Sequence, residues 1–331
     1  MPLEINDVQA RALWIEGPHT GRLQPAALRS PEAGEARIVT AWSAISRGTE
    51  RLVFEGRVPP SEKDRMRAPF QEGAFSFPIK YGYCAVGWVD DGPDEWMGKT
   101  VFCLHPHQDR FVAPLEFLHV IPDTVPPRRA ALAANMETAL NGIWDSGVGA
   151  GDRIVIVGAG VVGLLIAALA ARLPGAEVTV IDAEPSRASV AEAFGARFVP
   201  AGAFDARQHA ADVVFHASAS QEGLAQALEC AALEATVVEM SWFGDKTIAA
   251  PLGRGFHANR LRLISSQVGQ VAPSRRPRWS FARRLDKAIT LLADDRLDAL
   301  ITEEIAFEDL PQALPRIFET GAPGLATLVR Y

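Results

Sequence analysis

Arg153-Ile-Val-Ile-Val157, then Gly158-Ala-Gly160-Val161-Val162-Gly163, then the apolar run Leu164–Ala171 follow one another without a break in this 331-residue chain. Four β-branched residues in a row, Ile154 to Val157, favour a buried strand, and the run after Gly163 favours a helix. The three glycines sit where strand must turn into helix. The first permits the tight turn, the second lets backbone approach a pyrophosphate, and the third lets helix pack closely on strand. Phosphate then rests on the unpaired N–H groups of the helix start, which adds Val161 and Val162 to Gly158, Gly160 and Gly163 as candidate contacts. Asp182 ends the next strand-like run, 24 residues after Gly158, near the spacing of about 20 expected of a ribose-binding acid. Its carboxylate suits ribose hydroxyls and repels a 2′-phosphate, so the pattern predicts NAD(H) ahead of NADP(H). Arg187 is the nearby cation that could compensate, and it joins the cofactor candidates.

Outward from this turn the pattern alternates. Strands are predicted at Glu177–Ile181, Arg197–Val199, Asp212–Phe215, Thr236–Met240 and Leu261–Ser265, with helices at Pro185–Phe194 and Gln221–Ala231. Such alternation makes an α/β fold with a doubly wound parallel sheet. Before it, a helical run is expected from Arg128 to Trp144. The first ~120 residues read as β-rich, with short apolar runs such as Ala36–Trp42, Tyr83–Val89 and Thr100–Leu104 broken by Gly and Pro. Pro59–Lys80 reads as a long loop. The tail carries an amphipathic helix (Leu285, Ile289, Leu292), a strand-like Thr302–Phe307, a helix near Leu310–Glu319 and a last strand at Gly324–Val329. It is expected to return to the β-rich part. The division predicted is 1–123 with 276–331 as one domain, and 124–275 as the dinucleotide-binding domain.

Bulk properties bound the function. A formal net charge of −7 argues against nucleic acid, whose phosphates need a cationic surface. Ile154–Ala171 is 18 residues without a charge, at the lower edge of membrane-spanning length, but its clustered glycines suit a strand and buried helix better. No membrane partner is expected. Three scattered cysteines, Cys84, Cys103 and Cys230, form no CxxC pair and point to a reducing, cytoplasmic setting. Arg275, Arg276, Arg278, Arg283 and Arg284 form the basic run; it reads as a solvated face or a seam, with an anionic partner as the alternative.

With these parts in this order the chain resembles the medium-chain dehydrogenase/reductase superfamily over nearly its whole length. Gly98-Lys-Thr-Val-Phe102, Val120-Ile-Pro-Asp123, Ala139–Trp144 with Val148-Gly-Ala-Gly-Asp152, and Asp182–Ala196 carry the resemblance. The segment Ser46-Arg-Gly-Thr-Glu50 is most similar to the subgroup around bacteriochlorophyllide-type alcohol dehydrogenases. The resemblance implies a GroES-like β-rich catalytic domain beside the Rossmann domain, and a homodimer paired through Rossmann sheet edges near Leu261–Ser265 and Val268–Val271.

Departures from the zinc-dependent pattern are as informative. Ser46-Arg-Gly-Thr-Glu50 carries no cysteine, and Gly82-Tyr83-Cys84 stands where Gly-His-Glu is usual. Glu137 alone matches a ligand position, and the four-cysteine lobe is missing. Cys84 and Glu137, with His105 or His107, could rebuild a metal shell, yet no zinc is expected. The resemblance then implies a zinc-independent, NAD(H)-dependent oxidoreductase that works on an alcohol/carbonyl pair of small-molecule substrates. A quinone or enone reductase on the same fold and a non-catalytic dinucleotide sensor are the alternatives. Without metal, hydroxyl donors must meet the charge on the substrate oxygen. Thr49 and Tyr83 are the candidates, and Glu137 completes the catalytic set. Arg47, Thr138, Ser218, Ser241, Trp242 and Gln267 fall at family positions around the cofactor.

Overall fold

A computed structural model describes residues 10–205 and 210–331. The chain folds as two compact units, one running to Ala134 and resuming at Ile301–Tyr331, the other Asn135–Leu300.

The first unit is antiparallel and β-rich. It opens with β1 (Ala10–Gly17), β2 (Thr20–Ala26) and β3 (Glu35–Ile45), followed by the short helix α1 (Thr49–Phe54). The stretch predicted as a long loop holds only a turn of 3₁₀ helix at Pro60–Glu62 and the two-residue strands β4 (Glu72–Gly73) and β5 (Ile79–Lys80). Then come β6 (Ala85–Asp91), β7 (Thr100–Cys103), β8 (Arg110–Pro114), β9 (His119–Val120) and α2 (Pro127–Ala130). Burial alternates along β3, as half-buried strands require. That strand pairs with both β6 and β8, and a cluster of Ala36, Ile38, Val89, Val101 and Phe111 packs beneath them.

The second unit begins within α3 (Ala133–Ser146), so the single helical run expected at Arg128–Trp144 is two helices. It continues through β10 (Arg153–Val157), α4 (Val161–Ala170), β11 (Glu177–Asp182), α5 (Ala188–Ala193) and β12 (Arg197–Pro200). β13 (Ala211–His216), α6 (Gln221–Cys230), β14 (Ala231–Glu239), β15 (Arg262–Ser265) and α7 (Phe281–Leu291) complete it. The six strands pair in the order β12-β11-β10-β13-β14-β15, all parallel. This is the doubly wound order, with its reversal between β10 and β13. Among the described residues no helix is long and apolar enough to cross a membrane.

The chain returns to the first unit with β16 (Ile301–Ala306), α8 (Leu310–Ile317) and β17 (Ala326–Arg330), which pairs antiparallel with β3. The return therefore starts at Ile301, not near residue 276. α7 stays with the second unit, because Leu285, Ala288 and Ile289 on one of its faces are buried there and Arg284 beside them bonds back to α3.

Candidate active site

In the second unit the glycine turn joins the C-terminal end of β10 to α4, at the strand-order reversal. Gly158 has φ +109°, and a Cβ there would lie 2.6 Å from the Ser218 amide nitrogen. A Cβ on Gly163 would lie 1.9 Å from the Gly158 carbonyl oxygen, so helix meets turn with no room for any side chain. Gly160, by contrast, faces open space among the described residues. It is the N-cap of α4 and, among those residues, no side chain caps that helix end, so the amides of Val161 and Val162 are left for an incoming anion. This is the cradle a dinucleotide pyrophosphate requires, and the residues fit it.

Asp182 ends β11 beside the turn. Its Oδ2 accepts the Ala159 amide at 2.5 Å and its Oδ1 the Glu184 amide at 2.8 Å. Arg187 lies within the fields of Asp182 and Glu184; burial holds its guanidinium below the usual range against the pull of those carboxylates. Its Nη1 is buried without a hydrogen-bond partner among the described residues. At the ends of β13 and β14, His216 Nε2 meets Ser218 Oγ at 2.7 Å and His216 Nδ1 meets Glu239 Oε2 at 2.6 Å. The Ala219 amide donates to Ser241 Oγ at 3.1 Å. Ser218 and Ser241 thus join the glycine turn at the C-terminal ends of neighbouring strands. Trp242 follows, half-buried, and Gln267 is exposed beyond β15. Thr138 is half-buried on α3 next to Glu137.

Glu137 itself is buried, and Arg284 Nε donates to its Oε1 at 3.0 Å. The arginine is hidden in the basic run that reads as a surface. Its place in the helical period is the signal that reveals it: Arg284 and Ala288 lie four apart on the face that buries Leu285 and Ile289.

In the first unit Thr49 opens α1, half-buried. Glu50 beside it is 4% exposed, and its Oε1 accepts the Ser46 amide at 2.8 Å. His107 Nε2 meets Glu50 Oε2 at 2.9 Å, His107 Nδ1 meets Ser43 Oγ at 2.7 Å, and Ser43 Oγ lies 3.0 Å from the Tyr331 hydroxyl. Glu50, His107, Ser43 and Tyr331 thus form one hydrogen-bonded chain. Tyr83 is half-buried next to this network. Burial first, then the charge of Glu50, pushes its phenol well above the ordinary range, against a side-chain hydrogen bond with Ser46. Sequence reasoning named Tyr83 and Thr49 but missed Glu50 and Ser43, which no local pattern ties to a histidine more than fifty residues away. Arg47 is turned to other work: its guanidinium donates to the carbonyls of Pro323 at 2.8 Å and Gly324 at 3.0 Å.

The donor set does not fit a zinc shell. Burial, then Glu50, drives the Cys84 thiol well above its usual range. His105 stacks on Phe111 at 3.7 Å with Nδ1 against the Pro106 carbonyl, and both nitrogens of His107 are engaged. Glu137 is held by Arg284. Among the described residues no three His, Cys, Asp or Glu side chains gather as a metal would require.

The family described as Zinc-binding dehydrogenase matches residues 161–285. D-guloside 3-dehydrogenase of Escherichia coli K12 is 27% identical over 186 residues, 53% of this chain and 53% of that protein. The chain thus matches about half the length of that relative. Two solved structures share the fold. A putative zinc-binding dehydrogenase from Sinorhizobium meliloti, bound to NADP, superposes with a TM-score of 0.78 at 19% identity, covering 98% of this chain and 99% of the other. A short chain alcohol dehydrogenase from E. coli CFT073, complexed with NADH, gives 0.77 at 17% identity with the same coverage.

Proposed function

We propose that the chain is a member of the medium-chain dehydrogenase/reductase superfamily and that it is a zinc-independent, NAD(H)-dependent oxidoreductase acting on an alcohol/carbonyl pair. The observation that carries this reading is the glycine turn at the sheet's reversal, open at Gly160 and flanked by Asp182. Gly158, Gly160, Gly163 and the amides of Val161 and Val162 would hold the pyrophosphate, and Asp182 the ribose. The nicotinamide, when bound, supplies or accepts the hydride. The chain's own residues handle the proton. Tyr83 donates from its hydroxyl to the substrate oxygen, Ser46 steadies it through a side-chain hydrogen bond, and Thr49 is the second hydroxyl assigned to that role.

Calorimetry with NADH and NADPH, followed by turnover across an alcohol, aldehyde, quinone and enone panel, tests the proposal. Tight NADH binding with alcohol or aldehyde turnover is expected, and elemental analysis that found one zinc per chain would overturn the metal-free part. One observation favours a second cofactor reading. Arg187 keeps a buried Nη1, unpartnered among the described residues, close to Asp182, and a 2′-phosphate would satisfy it.

The edge strand β15 leaves Leu263 39% exposed, which supports a homodimer through this edge. The three unpaired, buried cysteines support a reducing, cytoplasmic setting.

A further inference from the structure

Arg284 is the largest fully buried side chain among the described residues, at 1% exposure. A lone guanidinium in such a place is costly unless its donors are met. Four of its five N–H groups are. Nε donates to Glu137 Oε1 at 3.0 Å, Nη1 to Asn141 Oδ1 at 2.6 Å and to the Gln270 carbonyl at 3.1 Å, and Nη2 to the Val268 carbonyl. One cation on α7 therefore binds α3 and the segment that leaves β15. That segment is tied twice more to α3. Ser266 Oγ donates to Asp145 Oδ2 at 2.7 Å, and the Ala272 amide donates to Asn141 Oδ1 at 3.2 Å. Burial raises the Asp145 carboxyl, in opposition to Ser266 and Arg284.

The segment held in this way, Ser266 to Ala272, follows the C-terminal end of a parallel strand. In open α/β sheets that end is where ligands lie. It carries Gln267, and the clamped stretch of α3 carries Thr138. Both are exposed or half-buried, while their neighbours Glu137, Asn141 and Ser266 are buried. The buried members fix the backbone around Gln267 and Thr138. A side chain whose neighbours are locked by supporting bonds behind it loses less freedom when it binds.

We propose that Arg284 is a positioning residue for the nicotinamide end of the cofactor, one buried cation that sets both Gln267 and Thr138. The proposal rests on the dinucleotide reading of this unit. It assigns no contact between Arg284 and the cofactor. The guanidinium acts only through the backbone and through Glu137 and Asn141. Lysine could keep the charge but not the planar fork that reaches two carbonyls and two side chains together.

The adenine half of the cofactor needs only the glycine turn and Asp182, which Arg284 does not touch. Affinity for NADH and for ADP-ribose, which lacks the nicotinamide ring, therefore separates positioning from general damage. In the full chain, Arg284→Met should weaken NADH at least tenfold and ADP-ribose less than twofold, with Arg284→Lys between wild type and Met for NADH. Equal loss for both ligands, or no loss for either, overturns the proposal. Should Arg284→Met fail to fold, Arg284→Lys and Asn141→Ala, each of which removes part of the set, carry the same comparison. A wild-type chain that bound neither NADH nor ADP-ribose would overturn the dinucleotide reading as well. One that bound both, with the variants unchanged, would overturn the role of Arg284 alone.

Discussion

Two carboxylates, Glu50 in the first unit and Glu137 in the second, are both buried and are stabilised by different means. Glu137 faces a guanidinium that keeps its charge at any pH a folded protein meets. Glu50 faces the His107 imidazole at 2.9 Å, and behind it stand the hydroxyls of Ser43 and Tyr331. The partner of Glu137 is thus a fixed charge, whereas Glu50 heads a hydrogen-bonded chain that can pass a proton, as Glu239 does with His216 and Ser218 in the second unit. That division matches the tasks proposed for them, since a cofactor must be held in place and a substrate oxygen must gain or lose a proton.

The largest test breaks the fixed pair. Removing one partner of a buried ion pair costs about 3–5 kcal/mol, because the other is left charged and alone. Glu137→Leu and Arg284→Met should each lower the denaturant midpoint accordingly, and the double variant Glu137→Leu/Arg284→Met should cost less than the two added together. Strict additivity would mean that the two residues do not act as a pair. On the proton-handling side, Tyr83→Phe should cut turnover roughly 10²–10³-fold, the effect of losing one oxyanion donor, while NADH affinity stays unchanged. A matching fall in affinity would break the division of labour.

Acid sharpens the contrast further. His105 is held down to about 3 from 6.5, by burial first and then by the charge of Lys80. The unfolded chain takes up a proton at this ring near pH 6.5 and the folded one does not until about pH 3. Folding stability should therefore fall with acidification across that window, by up to about 1.4 kcal/mol per pH unit. His105→Phe should flatten this limb of a stability-against-pH curve, and an unchanged slope would place the acid sensitivity elsewhere. The smallest expected effect lies in the cofactor cradle. Asp182 should favour NADH over NADPH about tenfold, or about 1.4 kcal/mol, and Asp182→Ser should narrow the gap in calorimetry. Equal affinities in the wild type would point to Arg187 as the stronger determinant.

How much of this is legible in the sequence follows from distance along the chain. The glycine turn, Asp182 and the strand–helix alternation are local patterns, and β10, β11, β13, β14 and β15 all form within a few residues of where periodicity puts them, although β14 starts earlier, at Ala231. The boundary expected near residue 276 falls at Ile301 instead, because the change of composition marks a loop there and not the end of a packed unit. The basic run conceals three different fates. Arg275 lies over Trp144 at 5.4 Å, Arg283 over Trp279 at 4.1 Å, and Arg284 is buried. Composition treats these as one feature, whereas helical phase tells Arg283 and Arg284 apart. Ser43, Glu50, His107 and Tyr331 come together only through strand pairing across the first unit, and no spacing rule reaches that far.

The clamp around Arg284 has a consequence for descent. Arg284 satisfies both Glu137 and Asn141 in a place closed to water, so loss of the arginine strands a charge and a polar group, and loss of either partner leaves the arginine short of one. Related chains should therefore keep the three together or lose them together, and a lineage that turned Glu137 to another partner would first have to give up the arginine.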